Sequence, residues 1–400
     1  MRKSTLIALF IAWCSTLMAW SAPQPTAEQT DSAATKAPVV SLITFYPGED
    51  PFSIYGHTEL RVQRDGKDYY FNYGVYDFSS PGFVYRFIKG DAPYYCVAIP
   101  GNYATDGMEG RRMVEQVLNL NPQQARSVSN ALIDNALPGN NTYQYQYLSD
   151  NCATRPRRIV EQALNNGSLA YHRQDSTITY RQLMQRYGSN YAWQQFGIDL
   201  VLGSELDKPL DVEQQMFVPI ELMQGFAGAT IDGAPLVSET HVMVDGDEKG
   251  LVLPPTPWWC SPMAMALLVL VVAALLTWRD VRRKKASRWF DFVLFLALGL
   301  VGCVITYLVL FSSHEAVWPN YNILWANPLH LFTAIALCFG HRTRRLCQVC
   351  LMVIAVLTAA ALLFCWCIPQ QFNAAFFPLM IATLIRSLTY AFGANGSRQG

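Results

Sequence analysis

The sequence predicts an α+β domain followed by an all-α transmembrane helix bundle, and three observations carry that expectation. Of 400 residues, 51% are hydrophobic and 15% charged, a balance too apolar for a soluble enzyme of this size. The apolarity is unevenly placed: residues 38–255 read as globular sequence with charges and turns, whereas 258–392 is dominated by long apolar runs. Strand-like and helix-like patterns mix within the first region, which is long enough to bury its own core. Net charge is zero, and no basic patch points to a nucleic-acid partner.

Residues 1–22, MRKSTLIALFIAWCSTLMAWSA, join basic Arg2 and Lys3 to an apolar stretch and small Ala19 and Ser21 at the spacing a signal peptidase accepts. They read as a secretion signal or, uncleaved, as an anchor. Cys14 lacks the small preceding residue of a lipid-attachment cysteine, since Trp13 stands there. Residues 23–37 are too poor in large apolar groups to fold and read as a linker.

In the region 38–255, VVSLITFYPG opens with a strand and a turn. SIYGHTELRVQ and KDYYFNYGVYDF flank Arg64-Asp65-Gly66-Lys67, and Asp-Gly between two strand-like runs signals a tight hairpin. With Asp65 and Gly66 as the loop, Arg64 pairs with Lys67, Glu59 with Asn72, and His57 with Gly74. His57, Glu59 and Asn72 then share a face, with open space at Gly74 above the ring. MEGRRMVEQVLNL reads as a helix. Asn121, Pro122 and Gln124 signal the capped start of another, ending near Ala136 before Pro138-Gly139. Tyr143, Tyr145 and Tyr147 alternate on a strand that ends at SDNC. A helix follows with Gly167 as its stop and Asp150 or Asn151 as its cap, although Pro156 requires either a start after Cys152 or a kink. TYRQLMQRYG, NYAWQQFGIDLVLG and DVEQQMFVPIELMQGF read as helices, and TIDGAPLVSETHVMVD as a closing hairpin.

Beyond residue 257 lie five apolar segments, Ser261–Thr277, Trp289–Phe311, Ile323–Gly340, Leu346–Ile368 and Ala374–Phe392, each near the ~20 residues that span a bilayer. Arg279, Arg282, Arg283, Lys284, Lys285 and Arg288 follow the first, and Arg342, Arg344 and Arg345 the third. The other two connections lack Lys and Arg. The basic loops are therefore expected in the cytoplasm with residues 393–400, and the folded domain outside. Trp258, Trp259, Trp278 and Trp289 suit interfacial anchoring. Cys303, Cys338, Cys347, Cys350, Cys365 and Cys367 read as small hydrophobes of these segments.

Cys96 and Cys152 belong to the exported domain, where a disulfide between them is one reading. Cys96, in YYCVAIP, has the surroundings of a buried strand residue. Cys152, in SDNCATRPR, sits among polar and cationic residues at a helix start, which favour thiolate. A neighbouring imidazole activates such a thiol and later returns the proton, so His57 and Cys152 are the expected catalytic pair. The ring needs an orienting group, with Asn72 the first choice and Glu59 the second. Arg155 and Arg157 read either as solvated helix charges or as contacts to an anionic substrate. His57-Thr58-Glu59 echoes half of a zinc-deaminase motif whose PCxxC half is missing. His172 and His241 read as surface or structural, and no nucleotide-binding, serine-hydrolase or metalloprotease motif appears.

A histidine on a β-hairpin followed by a cysteine at a helix start resembles the permuted NlpC/P60-like branch of papain-like enzymes, which implies a papain-like fold for the exported domain. YGHTELRV, FNYGVYDF, DNCATRPR and FVPIELM, followed by the apolar tail, resemble the lipoprotein N-acyltransferase (Lnb) family of Bacteroidota. That resemblance implies a multi-pass inner-membrane protein with a periplasmic catalytic domain. The implied activity transfers an acyl chain from a membrane phospholipid to the α-amine of the lipid-modified N-terminal cysteine of a lipoprotein. His57 is then the base and Cys152 the acyl-accepting nucleophile, with backbone N–H groups around Cys152 as oxyanion donors and no metal or organic cofactor required.

The short segment Gly250–Pro257 holds the domain near the bilayer, which suits lipid-borne substrates. In SSHEAVWPNYNIL, His314, Glu315, Asn320 and Asn322 lie beside Trp318 and Trp325. These polar residues, with Arg155, are the expected headgroup contacts, against a bland aromatic interfacial loop. The rival enzyme is a membrane-anchored cysteine peptidase of cell-wall peptides using the same pair. The non-enzymatic rival is a membrane receptor or assembly factor, for which Cys152 and His57 are dispensable.

Overall fold

The computed structural model describes residues 36–50, 53–106, 108, 110–164, 169–172, 177–247, 250–251, 253–339 and 343–393. The expected signal, nearly all of the linker, Gly167 and the last seven residues lie outside these segments.

An antiparallel sheet of seven strands forms the frame of the first region, which is a mixed α/β domain. Its strands are β1 (Val39–Phe45), β2 (His57–Arg64), β3 (Lys67–Val75), β4 (Pro93–Pro100), β5 (Met113–Leu118), β6 (Thr142–Gln144) and β10 (Val237–Val244), in the order β10-β5-β1-β2-β3-β4-β6. A second sheet joins β7 (Leu169–Ala170), β8 (Thr230–Ile231) and β9 (Ala234–Pro235). The β2–β3 hairpin has the expected register, Glu59 opposite Asn72 and Arg64 opposite Lys67. Asp65 and Gly66 turn it with φ of 51° and 74°, the left-handed values that a two-residue loop of this kind needs.

MVEQVL is a strand rather than a helix. Met113, Val114, Val117 and Leu118 fit a helical face as well as a strand buried on both sides, and pairing with β1 and β10 decides for the strand. Buried Glu115 is matched there by Arg61 at 2.9 Å. The tyrosine run makes only the three-residue β6, because a bridge between Gln146 and Asp150 turns the chain. In the closing segment the Asp232-Gly233 turn joins β8 to β9, and β10 leaves that hairpin to pair with β5.

The helices of this region are α1 (Phe83–Lys89), α2 (Pro122–Ala136), α3 (Thr154–Ala163), α4 (Tyr180–Gly188), α5 (Ala192–Val201), α6 (Val212–Gln215) and α7 (Pro219–Gly228). The cap of α2 is as expected: Asn121 accepts from Gln123 and Gln124 N–H, and the Gln124 side chain accepts from Asn121 N–H. The segment DVEQQMFVPIELMQGF splits into α6 and α7, with Val218 extended before Pro219. The main core lies between one sheet face, with Val40, Leu42, Leu60, Val62 and Phe71, and residues of α2, α3 and α7.

The second region is helical: α8 (Pro262–Arg283), α9 (Arg288–Phe311), α10 (Leu329–Cys338), α11 (Arg344–Leu363) and α12 (Phe376–Gly393). Among the described residues, α8, α9 and α11 are long and apolar enough to cross a membrane. The third expected span is shorter than anticipated, since Tyr321–Leu324 forms a 3-10 turn and α10 begins only after Pro328, leaving 10 helical residues. Buried Arg386 ties three helices together, bonding Asp291 at 2.6 Å, Asp280 at 2.8 Å and Thr277 at 3.0 Å. A charge inside an apolar bundle is tolerated when paired in this way.

The two regions meet through a polar seam. Arg181, fully buried, bonds Asp199 at 2.7 Å and Asp207 at 2.8 Å. Asp199 also accepts from Gln195 at 3.0 Å and from Asn373 at 2.8 Å, between α11 and α12. The last carbonyls of α5, which have no partner inside the helix, are satisfied by Asn322 (to Asp199 and Leu200) and Asn320 (to Leu200 and Val201). Thus the α9–α10 and α11–α12 connections, the two without Lys or Arg, both hold the first region, as does the segment before α8, where Trp193 bonds the Cys260 carbonyl at 2.8 Å.

Candidate functional site

The site forms where β2 begins and α3 approaches it. His57 is the first residue of β2 and faces Phe45 of β1, their rings 6.3 Å apart. His57 Nε2 lies 3.1 Å from Asn72 Oδ1. That oxygen also accepts the Gly74 N–H at 2.7 Å, and Asn72 Nδ2 donates to Glu59 Oε1 at 2.7 Å. These two bonds fix the amide's orientation, so Nε2 carries the ring proton and Nδ1 is left as the basic nitrogen. Glu59 therefore stands behind Asn72, and the anticipated choice between orienters resolves into a chain, His57–Asn72–Glu59.

The space expected above the ring at Gly74 is filled by the ring itself. A Cβ at Gly74 would lie 2.7 Å from His57 Cε1. Only glycine leaves the imidazole its place there.

Cys152 precedes α3 instead of opening it, the first of the two arrangements Pro156 permits. Asn151 Oδ1 takes the N–H groups of Ala153 at 2.8 Å and Thr154 at 2.9 Å, while its Nδ2 bonds the Tyr147 and Phe217 carbonyls, each at 3.0 Å. Asn151 thus clamps SDNC to FVPIELM. On the hairpin side, the β2–β3 register begins at Glu59, which leaves the Thr58 N–H outside that ladder. This N–H, one residue from His57, lies within electrostatic reach of the Cys152 sulfur.

Burial governs the charges. It pushes the Cys152 thiol up to about 11, partly offset by the N–H groups of Thr58 and Cys152 and by the Arg111 charge. His57 is pushed down to about 4 by burial and by Arg111, against the Asn72 bond. Glu59, 1% exposed, is pushed up to about 8, chiefly by burial. Burial thus favours the uncharged form of all three groups: the thiol, the neutral imidazole and the protonated Glu59 carboxyl. The expected resting thiolate is not favoured, because desolvation outweighs the helix start and the Arg111 charge, and Arg155, Arg157 and Arg158 are engaged by carboxylates. Arg155 forms a two-bond fork with Asp150 at 2.8 and 2.7 Å and lies 4.0 Å above the Tyr143 ring. Arg158 meets the same carboxylate at 2.5 Å, and Arg157 pairs with Glu161 and Glu213, each at 3.1 Å.

The remaining expected substrate contacts are likewise engaged by protein groups. Asn322 is fully buried and Asn320 nearly so, both spent on the end of α5. His314 bonds the Phe87 carbonyl at 2.8 Å and fastens α1 to the membrane helices. The structure places Asn320, Asn322 and His314 in an interdomain joint and Arg155 against Asp150. His172 is exposed and His241 pairs with Glu239 at 3.0 Å, as befits surface residues. Cys96, 1% exposed, and Cys152 are both free thiols.

Arg111 went unread in the sequence. Its Nε donates to the Tyr46 carbonyl at 2.7 Å and its guanidinium lies 5.9 Å from the Phe45 ring, within electrostatic reach of Cys152, His57 and Glu59. It is 7% exposed, and among the described residues its buried Nη2 has no hydrogen-bond partner. A strand reading of MVEQVL would have revealed it, since Phe45 pairs with both His57 and Met113 and Arg111 lies two residues before Met113.

Comparison with protein families matches residues 25–186 to the Lnb N-terminal periplasmic domain and residues 255–395 to the Lnb transmembrane domain. Searches of curated proteins and of solved structures found no match.

Proposed function

Because the chain belongs to the Lnb family, we propose that it is a lipoprotein N-acyltransferase working through a thioester on Cys152, in a periplasmic domain of papain-like type anchored in the inner membrane. The observation that supports this reading is the packing of the helix Thr154–Ala163, which Cys152 precedes, against the strand that His57 opens, with the His57 ring held by Asn72. Membrane anchoring through apolar helices and the family's lipoprotein connection support the substrate class.

In the first step His57 Nδ1 takes the Cys152 proton as sulfur attacks an ester carbonyl of a phospholipid. The C–S bond forms, the ester C–O bond breaks, and the imidazolium returns its proton to the departing lysophospholipid oxygen. In the second step the lipoprotein α-amine attacks the thioester and passes a proton to His57. The C–N bond forms, the C–S bond breaks, and the thiolate is reprotonated. A neutral imidazole at rest suits this sequence, because the base must be empty before attack. In this reading Arg111 and the Thr58 N–H steady negative charge on sulfur or on the carbonyl oxygen.

The test in cells is the intact mass of lipoprotein N-termini with and without the protein, in a strain lacking any redundant enzyme. Loss of one acyl chain on deletion is expected. Unchanged N-termini, or release of cell-wall peptides as the altered product, would reject the reading.

Gly74→Ala probes the ring's placement. The new methyl group must displace His57, so single-turnover acylation should fall about 100-fold, as misplacements of about 1 Å do. The thermal midpoint should drop only by the equivalent of about 1–3 kcal/mol of overpacking. Full activity in this variant would mean that the ring does not serve as base from this position.

A further inference from the structure

α1 buries one face and exposes another. Phe83 is 6% exposed and packs into the core with Phe87, whereas Val84 and Tyr85 are 63% and 58% exposed. Ile88 and, just before the helix, Phe78 extend this apolar surface. It is fixed at the end of a membrane helix: Ser312 Oγ bonds the Ile88 carbonyl at 2.9 Å and Ser313 N–H the Lys89 carbonyl at 2.8 Å, immediately after α9 ends at Phe311. The Tyr85 ring lies 6.5 Å from that of Tyr307 on α9. The exposed face of α1 is therefore continuous with the apolar surface of a helix that crosses the membrane. Aromatic residues that combine an apolar ring with a polar edge favour such a boundary.

From this face a row of rings leads inward. Phe78 stands 4.7 Å from Tyr76, Tyr76 5.0 Å from Tyr94, and Tyr94 4.5 Å from Tyr145. Phe83 joins the row at 5.4 Å from Tyr76. Tyr94 and Tyr145, like Tyr143 and Tyr147, lie within electrostatic reach of Cys152, so the row runs from the membrane boundary toward the sulfur. Phe83 and Tyr94 belong to the buried core and Tyr76 and Tyr145 pack against it, so the row is continuous apolar packing that leads from the exposed face inward.

We propose that α1 and residues 76–82 are a lipid port: Val84, Tyr85 and Ile88 seat in the membrane boundary, and the row Phe78–Tyr76–Tyr94–Tyr145 guides the acyl chain of a membrane phospholipid to Cys152. This rests on the acyltransferase reading for its destination but not for the membrane contact, so two measurements separate them. In the first, the full-length protein carries p-benzoylphenylalanine at Val84 in nanodiscs of phosphatidylethanolamine and phosphatidylglycerol and is irradiated. A phospholipid adduct is expected at position 84 and none at a control position, His241. In the second, the variant with both Val84→Asp and Ile88→Asp is compared with the unmodified protein for acylation of Cys152 by vesicle phospholipid and by water-soluble p-nitrophenyl butyrate. The ratio of phospholipid to butyrate rates should fall tenfold or more.

Absence of the lipid adduct overturns the port, as does equal slowing with both donors, which is the mark of a merely structural helix. With a diacylated lipopeptide added to the nanodiscs, a port that receives the acceptor instead would give lipopeptide adducts with the donor ratio unmoved, which also contradicts the proposal. If the unmodified protein forms no acyl-Cys152 from phospholipid while position 84 still crosslinks to lipid, the catalytic reading fails and the membrane seat stands.

Discussion

Cys152→Ala should reduce acyl transfer by at least about a thousand-fold while leaving the fold intact, because it removes the proposed acyl-accepting sulfur. The residue precedes α3 and spends no side-chain bond on the helix, whose first N–H groups belong to Asn151. His57→Ala should cost nearly as much, since a thiol held up near 11 is almost wholly protonated at neutral pH and needs a base at the moment of attack. Losses in residues that act as one unit do not add, so the double variant should match either single one. Asn72→Ala should be milder, about 100-fold, as it frees the ring without removing it. The readout is single-turnover acylation of the purified protein in phospholipid vesicles, beside circular dichroism. An inert His57→Ala with an active Cys152→Ala would place the nucleophile elsewhere.

The second large effect concerns the joint between the regions. Asp199→Ala should cost about 3–5 kcal/mol, the usual penalty for stripping a partner from a buried ion pair. Arg181 is fully buried and keeps Asp207, while Gln195 and Asn373 lose their shared acceptor. Thermal unfolding in detergent should show the midpoint falling by several degrees, with acylation by phospholipid declining alongside. Replacing Arg181 and Asp199 together by leucine should recover part of the loss, because a well-packed apolar pair leaves no charge unmatched. A midpoint unchanged by Asp199→Ala would mean that the network is ornamental.

Much of the site was legible because local rules determine it. The Asp65-Gly66 turn sets the register of β2 and β3, and period-two alternation then puts His57, Glu59 and Asn72 on one face. The capping box at Asn121 set α2 to within a residue for the same reason. Where partners come from far along the chain, the reading failed. The spacing of Met113, Val114, Val117 and Leu118 is ambiguous between helix and buried strand, and only pairing with β1 and β10 settles it. That error hid Arg111. Asn320 and Asn322 looked like ligand donors in an aromatic loop, but their acceptors are the carbonyls at the end of α5, which local pattern cannot reveal. Arg155 likewise looked free until Asp150, five residues earlier, was seen to occupy its fork.

The most direct measurement is the mass of Cys152 itself. Full-length protein in vesicles of a phospholipid with an isotopically labelled acyl chain, quenched in acid before any lipoprotein is added, should yield a peptide containing Cys152 heavier by that one acyl group and cleaved by neutral hydroxylamine. Addition of a diacylated lipopeptide with a free α-amine should move the label onto the peptide. An unmodified Cys152 peptide alongside labelled lipopeptide would contradict the thioester route.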